Sequence, residues 1–435
     1  MKIAYITAGA GSTICGNCLR DNTLARSLIG LGHDVQLIPT YTPIRTDEQD
    51  VSSRRVFLGG LKIYLQQTMP IIRHLPGPLA ALLDRPALLR WVSRFAVSTR
   101  PDQLGALTVG VLEGEAGPFR EEFEPLVDWL TKWQPDVVHI TNSMLAGIAP
   151  MLKKRLRSPI FCSLQGEDLF LSSMPAPHRD RAFGLLPELA RAVDVFVSPS
   201  RDHAHTMAAH LAVHPDNIPV IHPGIDLTGY SQREPRDADE LVVGYLARVA
   251  PEKGLRMLTE AVAQLRAQAT FETPRIRLRV AGWLSPEHRP FLADVEKLAR
   301  AAGLGDNFEY IGEVTRDQKI AFLRGLDVLS VPTSYGAPKG IYVLEALACG
   351  VPVVQPRIGV FPEFIDATGG GLLCKPDNAA DLAENIAKLI AHPAAAGEMG
   401  SKGRRRVEAH FQSKRMAEQT LALYENPAPY RKRKC

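Results

Sequence analysis

The apolar residues of the chain fall in two successive series of short runs, separated by segments with helical spacing. The first run, KIAYIT (2–7), ends in a Gly-rich turn and is followed by NTLARSLIGLG (22–32), which has a helical pattern. Gly32 closes that helix, and HDVQLIP (33–39) begins a new apolar run. Strand, helix and strand in this order make a βαβ unit, so the sheet is expected to be parallel. DVVHIT (136–141), PIFCSL (159–164) and DVFVSPS (194–200) add three buried strands, each followed by a turn or helix start. A second series begins at LVVGYLA (241–247) and continues through IRLRVAG (276–282), NFEYIG (307–312), DVLSVP (327–332) and PVVQP (352–356). GLRMLTEAVAQLRAQ and PFLADVEKLARAAG supply helices between them. Two successive α/β series point to two Rossmann-like domains rather than one barrel.

Residues 49–128 interrupt the alternation. They contain several prolines, little strand pattern and a mixture of basic and apolar residues, and read as a helical insertion. Such an insertion packs its own apolar face as an extra subdomain, or serves as an acceptor lid or a membrane-facing surface. The link between the two series is expected in the polar, turn-rich segment 222–240.

A chain of 435 residues exceeds what one core usually supports, in agreement with two domains. Its net charge of +4 gives no ground for a nucleic-acid partner. The six cysteines have no disulfide rhythm, MKIAYITAG reads as a strand rather than a leader, and no run is long enough to span a bilayer. A cytoplasmic protein is expected, with the inner membrane face as the place of any peripheral contact. ICGNC (14–18) holds a C-x-x-C at Cys15 and Cys18, a spacing found in thioredoxin-like sites and in half of many zinc sites. No second C-x-x-C or His pair accompanies it, and the surrounding pattern is not a thioredoxin-like domain. No resident metal or cofactor is expected. The D-x-D at Asp237 and Asp239 lies in a charged linker without a preceding strand.

The densest chemistry lies in 331–364. DVLSVP delivers the chain to a Gly/Pro turn, after which GIYVLEALACG (340–350) starts a helix with Glu345 on its early turns. Amides near Gly340 at such a helix N-terminus suit an anion, in particular a diphosphate. Glu345 can accept hydrogen bonds from ribose hydroxyls. Upstream, Arg248 follows a buried strand and Lys253 stands at the next helix start. Together these cations can neutralise a leaving diphosphate, Arg with directional donors and Lys as a mobile charge.

With these segments the chain resembles the family 4 retaining glycosyltransferases of the GT-B fold. The resemblance is carried by GHDV (32–35), HPGID (222–226), LARVAPEKG (246–254), EALACGVPVV (345–354) and GVFPEF (359–364), and spans most of the chain outside 49–128. It implies two Rossmann-like domains facing a central cleft, with an acceptor domain over 1–225 and a nucleotide-sugar domain over 226–410. A helix and basic tail over 411–435 would pack back on the first domain. It further implies Arg248, Lys253 and Gln165 as catalytic residues, and Gly16, Lys339, Gly340, Ile341 and Glu345 at the donor. Arg20, Asn22, Asn142, Glu167 and Asp168 would face the acceptor, a glycan, a lipid-linked sugar or a small molecule. Gly16, between the two cysteines, falls at the family's Gly-Gly turn and would allow close backbone approach.

Two positions depart from the family pattern. The family often has two glutamates separated by seven residues, and the position that pairs with Glu345 is Ala337, followed by Pro338 and Lys339. Gln165-Gly166 stands where many members have His-Gly, and Gln cannot titrate as His does. These departures keep open a donor-binding or regulatory protein without turnover. A nucleotide-sugar epimerase or hydrolase is the other alternative on this architecture.

Overall fold

The computed structural model describes residues 1–9, 16–53, 101–234, 240–268 and 275–430. They form two compact units, Met1–Gly224 with Ser413–Cys435, and Ile225–Gln412. Cys15, residues 54–100 of the expected insertion, the D-x-D and the basic tail fall outside the described residues.

The first unit is built on β1 (Lys2–Thr7), β2 (Asp34–Pro39), β3 (Val137–Ile140), β4 (Ile160–Ser163) and β5 (Val195–Val197). All pair in parallel, in the order β2-β1-β3-β4-β5. Its helices are α1 (Gly16–Gly30), α2 (Pro101–Glu113), α3 (Arg120–Trp133), α4 (Ala149–Arg155), α5 (Glu167–Ser172), α6 (Ala176–Leu189), α7 (Arg201–Leu211) and, from the chain's end, α15 (Ser413–Glu425). Successive strand residues point to opposite faces. Ile3 and Tyr5 of β1 join Val137, Phe161, Val195 and Val197 on one face, with Leu24 and Leu28 of α1 and Met416 and Tyr424 of α15 against them. Ala4 and Ile6 join Val138, Ile140, Ile160 and Cys162 on the other, against Phe123, Leu126 and Leu130 of α3. Burial on both faces is why these strands read as continuous apolar runs.

Within residues 49–128 the sequence pattern blurs a boundary. REEFEPLVDWLTKW buries Phe123, Leu126, Val127 and Leu130, and the helix runs through 128 to Trp133. It is therefore the crossover helix that leads to β3, and its apolar stripe belongs to the main core.

The second unit carries β6 (Glu240–Leu246), β7 (Arg275–Ala281), β8 (Phe308–Tyr310), β9 (Val328–Leu329), β10 (Val353–Pro356) and β11 (Gly371–Cys374). They form a parallel sheet in the order β11-β10-β9-β6-β7-β8. Between and after these strands lie α8 (Leu255–Ala267), α9 (Arg289–Ala301), α10 (Arg316–Arg324), α11 (Ile341–Ala348), α12 (Phe361–Thr368), α13 (Ala379–Ala391) and α14 (Pro393–His410). α8, α9 and α13 cover one face of the sheet, and α10, α11 and α12 the other. β11 is the one strand absent from the apolar pattern. Its four residues begin at the last of three consecutive glycines, and the apolar run is too short to stand out.

The end of the chain is tied into the first sheet by a buried polar contact. The Tyr424 hydroxyl lies 2.5 Å from His139 Nδ1, and His139 Nε2 lies 2.7 Å from Ser163 Oγ. The imidazole stacks on the Tyr5 ring with centroids 4.5 Å apart. Burial, with the Arg20 cation as a second cause, holds the His139 pKa well below its usual value, so the ring is neutral. Because the unfolded chain binds this proton more readily, the stabilisation is complete above about pH 6.5 and is lost as pH falls toward the depressed folded pKa. The fall in melting temperature from pH 7.5 to pH 5 should therefore be smaller in His139→Gln than in the unaltered protein. Tyr424→Phe should lower stability by about 1–3 kcal/mol in denaturant melts, since one ring nitrogen loses its partner.

Candidate functional site

In each sheet the strand order reverses at one point, between β1 and β3 in the first and between β6 and β9 in the second. Open α/β sheets bind ligands beyond the carboxyl ends of strands at such a point. In both units the residues singled out by the sequence gather there.

In the second unit the loop after β6 carries Arg248, then the turn Pro251–Lys253 leads into α8. The loop after β9 is pressed against it. Gly254 has φ +76°, and a Cβ at this position would sit 1.8 Å from the Pro332 carbonyl oxygen, so both conformation and space require glycine. Ser334 N donates to the Glu252 carbonyl at 3.1 Å. The Lys253 ammonium donates to the Tyr335 hydroxyl and lies 4.8 Å from that ring's centroid. Arg248 is half exposed and pairs with Glu252 at 2.5 Å. An exposed pair of this kind is worth about 0–1 kcal/mol, so a phosphate can take the guanidinium from it.

The β9 loop continues through Lys339, which is buried, to Gly340, the N-cap of α11 at φ +50°. No side chain caps this helix, and no acidic residue occupies its first turn. Ile341 and Tyr342 are its first two residues, whose N–H groups have no partner within the helix. Glu345, on the second turn, is 6% exposed. Its Oε1 accepts from the Tyr230 hydroxyl at 3.0 Å and lies 2.5 Å from Lys319 Nζ. Ala337 is buried, and its carbonyl accepts from Val360 N at 3.0 Å. A Cβ on Gly359 would sit 2.6 Å from the Ala337 backbone. The position that carries a glutamate in many relatives is thus seated against the segment leading into α12.

In the first unit the carboxyl edge holds a buried polar cluster around Asp21. Tyr5 donates to its Oδ1 at 2.8 Å, Thr7 to its Oδ2 at 2.9 Å and Gln165 Nε2 to its Oδ1 at 2.9 Å, while Thr141 donates to Oδ2. Arg20 Nη1 lies 3.5 Å from the same carboxylate and donates to Ser163 Oγ at 3.3 Å. Arg20 is 2% exposed, so it belongs to this cluster rather than to an open surface. Asn22 is fully buried and clamps a neighbouring segment, donating to the Gln49 carbonyl at 2.9 Å and accepting from Val51 N at 3.0 Å. Gln165 also donates to the Thr141 carbonyl, and its own amide N–H donates to Glu167 Oε2 at 2.6 Å.

Glu167 is fixed from its other oxygen, which accepts from Ser143 N at 2.9 Å and Ser143 Oγ at 2.7 Å. His203 Nε2 accepts from Gly166 N at 3.1 Å, which places the ring proton on Nδ1, 3.8 Å from Asp168 Oδ1. Burial first, and the Glu167 charge with it, raise the Asp168 pKa against the opposing effect of His203. Asn142 Oδ1, Asp168 Oδ1 and Arg20 Nε are buried and have no hydrogen-bond partner among the described residues. Gly16 opens α1, is exposed, and a Cβ there would meet nothing within 4 Å, so no protein contact demands glycine. Cys18 is buried in the core beside α1.

Sequence reasoning left Tyr5, Thr7, His139 and Thr141 unassigned. Their signal was spacing: each pair stands two residues apart at the end of an otherwise apolar strand, hence on one face. Tyr230 and Lys319, the partners of Glu345, had no comparable mark. Among the described residues no group of three or more His, Cys, Asp or Glu side chains is placed to hold a metal, and no helix is long and apolar enough to cross a membrane.

Comparison with known proteins agrees with this layout. Residues 229–406 match the family described as "Glycosyl transferases group 1", and residues 108–228 match "Glycosyltransferase Family 4". The chain is 24% identical over 436 residues to an MMP alpha-(1->4)-mannosyltransferase of Mycolicibacterium hassiacum, covering 98% of each protein. It is 29% identical to a D-inositol 3-phosphate glycosyltransferase of Stackebrandtia nassauensis, over 67% of this chain and 65% of that one. Among solved structures, sucrose-phosphate synthase from Thermosynechococcus elongatus shares the fold with a TM-score of 0.70 at 18% identity, covering 98% and 99% of the two chains. Anabaena HepE, solved with UDP and glucose, gives 0.65 at 17% identity, covering 98% of this chain and 99% of HepE. The two matched domains, the mannosyltransferase aligned over 98% of both chains and the paired parallel sheets show that this chain belongs to the family 4 glycosyltransferases of the GT-B fold, enzymes that use nucleotide sugars.

Proposed function

We propose that the protein transfers a hexosyl group from a nucleoside-diphosphate sugar to an acceptor hydroxyl with retention of anomeric configuration, and without a metal ion. The observation that carries this reading is the contact of the β6 and β9 loops, which sets Arg248 and Lys253 beside the segment leading to the uncapped N-terminus of α11. In the reaction the anomeric C–O bond to the diphosphate breaks with its electron pair, and the acceptor oxygen bonds to the same face of that carbon. The hydroxyl proton leaves with the diphosphate. Negative charge grows on the leaving group while the sugar gains oxocarbenium character. Arg248, Lys253, Lys339 and the amides of Ile341 and Tyr342 are groups suited to meet that charge, held before the reaction begins. Glu345 is assigned to the ribose.

On the acceptor side, Asn142 and Asp168 offer buried oxygen atoms with no hydrogen-bond partner among the described residues, and Glu167 and Gln165 hold the backbone and cluster around them. The relatives' names carry both a mannosyltransferase and a D-inositol 3-phosphate glycosyltransferase. A hydroxyl on a small molecule, glycan or lipid-linked sugar fits the proposal equally.

A thermal-shift screen of UDP-, GDP- and ADP-sugars should show stabilisation by one of them. Arg248→Ala and Lys253→Ala should each abolish the shift and lower kcat by about 10²–10³, the usual cost of one transition-state donor. The absence of a shift with every donor would remove the basis of the proposed site. Once a donor is found, turnover should be unchanged in EDTA, and NMR of the first product should show the donor's anomeric configuration. Asn142→Ala should raise the acceptor KM and leave the donor-induced thermal shift intact.

A further inference from the structure

Lys319 lies where the spacing of α10 calls for an apolar residue. Ile320, Phe322 and Leu323 are the buried positions of that helix, and Lys319 stands on the same face at 7% exposure. An ammonium in such a place carries a desolvation cost unless it is paired. Its partner is Glu345 Oε1 at 2.5 Å, and Glu345 is the single charged residue of the apolar helix α11. The Tyr230 hydroxyl donates to the same oxygen at 3.0 Å. The Tyr230 ring is itself held, with the Arg316 guanidinium 5.3 Å from its centroid. That guanidinium is anchored on the carbonyls of Asp226 at 2.8 Å and Thr228 at 3.0 Å. Two donors from separate elements thus converge on one oxygen of the carboxylate. No described group hydrogen-bonds its other oxygen, Oε2.

We propose that Tyr230 and Lys319 are positioning residues that clamp Oε1 of Glu345 so that Oε2 reads the donor ribose, making this trio the determinant of ribonucleotide over deoxyribonucleotide recognition. The inference rests on the assignment of Glu345 to the ribose given above. A carboxylate free to rotate could turn either oxygen to water when a ribose hydroxyl is missing. A clamped one keeps Oε2 in a single place and direction, so an analogue lacking the ribose hydroxyl forfeits a charge-assisted hydrogen bond that the carboxylate cannot recover by turning.

The test compares the affinities of UDP, GDP and ADP with those of their 2′-deoxy counterparts by calorimetric titration. The full-length protein, Tyr230→Phe, Lys319→Met and Glu345→Gln are measured in parallel. The unaltered protein should prefer one ribonucleotide over its deoxy form by about tenfold or more, the range expected for a hydrogen bond to a charged acceptor. Tyr230→Phe, which keeps the ring and its packing, should reduce that preference to about threefold or less, and Glu345→Gln should abolish it. Should Lys319→Met fail to fold, Tyr230→Phe carries the test. A lowered melting temperature with the preference unchanged in Tyr230→Phe would overturn the inference and leave a purely structural ion pair. A preference that survives in Glu345→Gln would overturn it as well. No binding of any of the three ribonucleotides would overturn the functional reading itself.

Discussion

The constraint from which the rest follows is the burial of two parallel sheets on both faces. Each strand of such a sheet must return through a crossover, so every strand ends at the same edge and hands its loop to that edge. Chemistry can gather only where neighbouring loops run apart or are pressed together. In the second unit they are pressed together, and the missing side chain of Gly254 sets how closely. A larger residue there would displace Pro332, and with it the path toward Lys339 and Gly340. The cations and the helix N-terminus are therefore one construction, built on a backbone contact.

The first unit handles its edge differently. Its polar side chains are turned inward on Asp21, which receives donors from β1, the end of β3 and the segment after β4. Such a network specifies one arrangement of three strand ends because each donor lost leaves a buried acceptor unmet. The oxygens of Asn142 and Asp168 that lack a hydrogen-bond partner among the described residues mark where the edge still has hydrogen-bonding capacity.

Much of this was legible in the sequence, because parallel strands buried on both faces advertise themselves as apolar runs. Ten of the described strands stand out for that reason, and β11 does not because three residues after three glycines make no pattern. The positions of Arg248, Lys253 and Gly340 were also legible, since they sit at strand-to-helix turns that chain order alone locates. What sequence order does not reveal is which partner a polar side chain takes. Asn22 was grouped with Arg20 at a helix start, yet it clamps residues 49–51 from within the core. Gln165 stands where a titrating residue is common, and the structure gives its amide to Asp21 and Thr141. Lys319 gave no signal, because its meaning depends on Glu345, 26 residues away in the chain.

The placement of α15 has a consequence for how the protein is made. The helix that completes one face of the first sheet is synthesised after Ile225–Gln412, the whole of the second unit. Domains generally fold in the order in which they emerge from the ribosome. Here that order is reversed at the end. The Tyr5, His139 and Phe161 surface stays uncovered until Tyr424 arrives, so the first unit completes its packing only after the second has been synthesised.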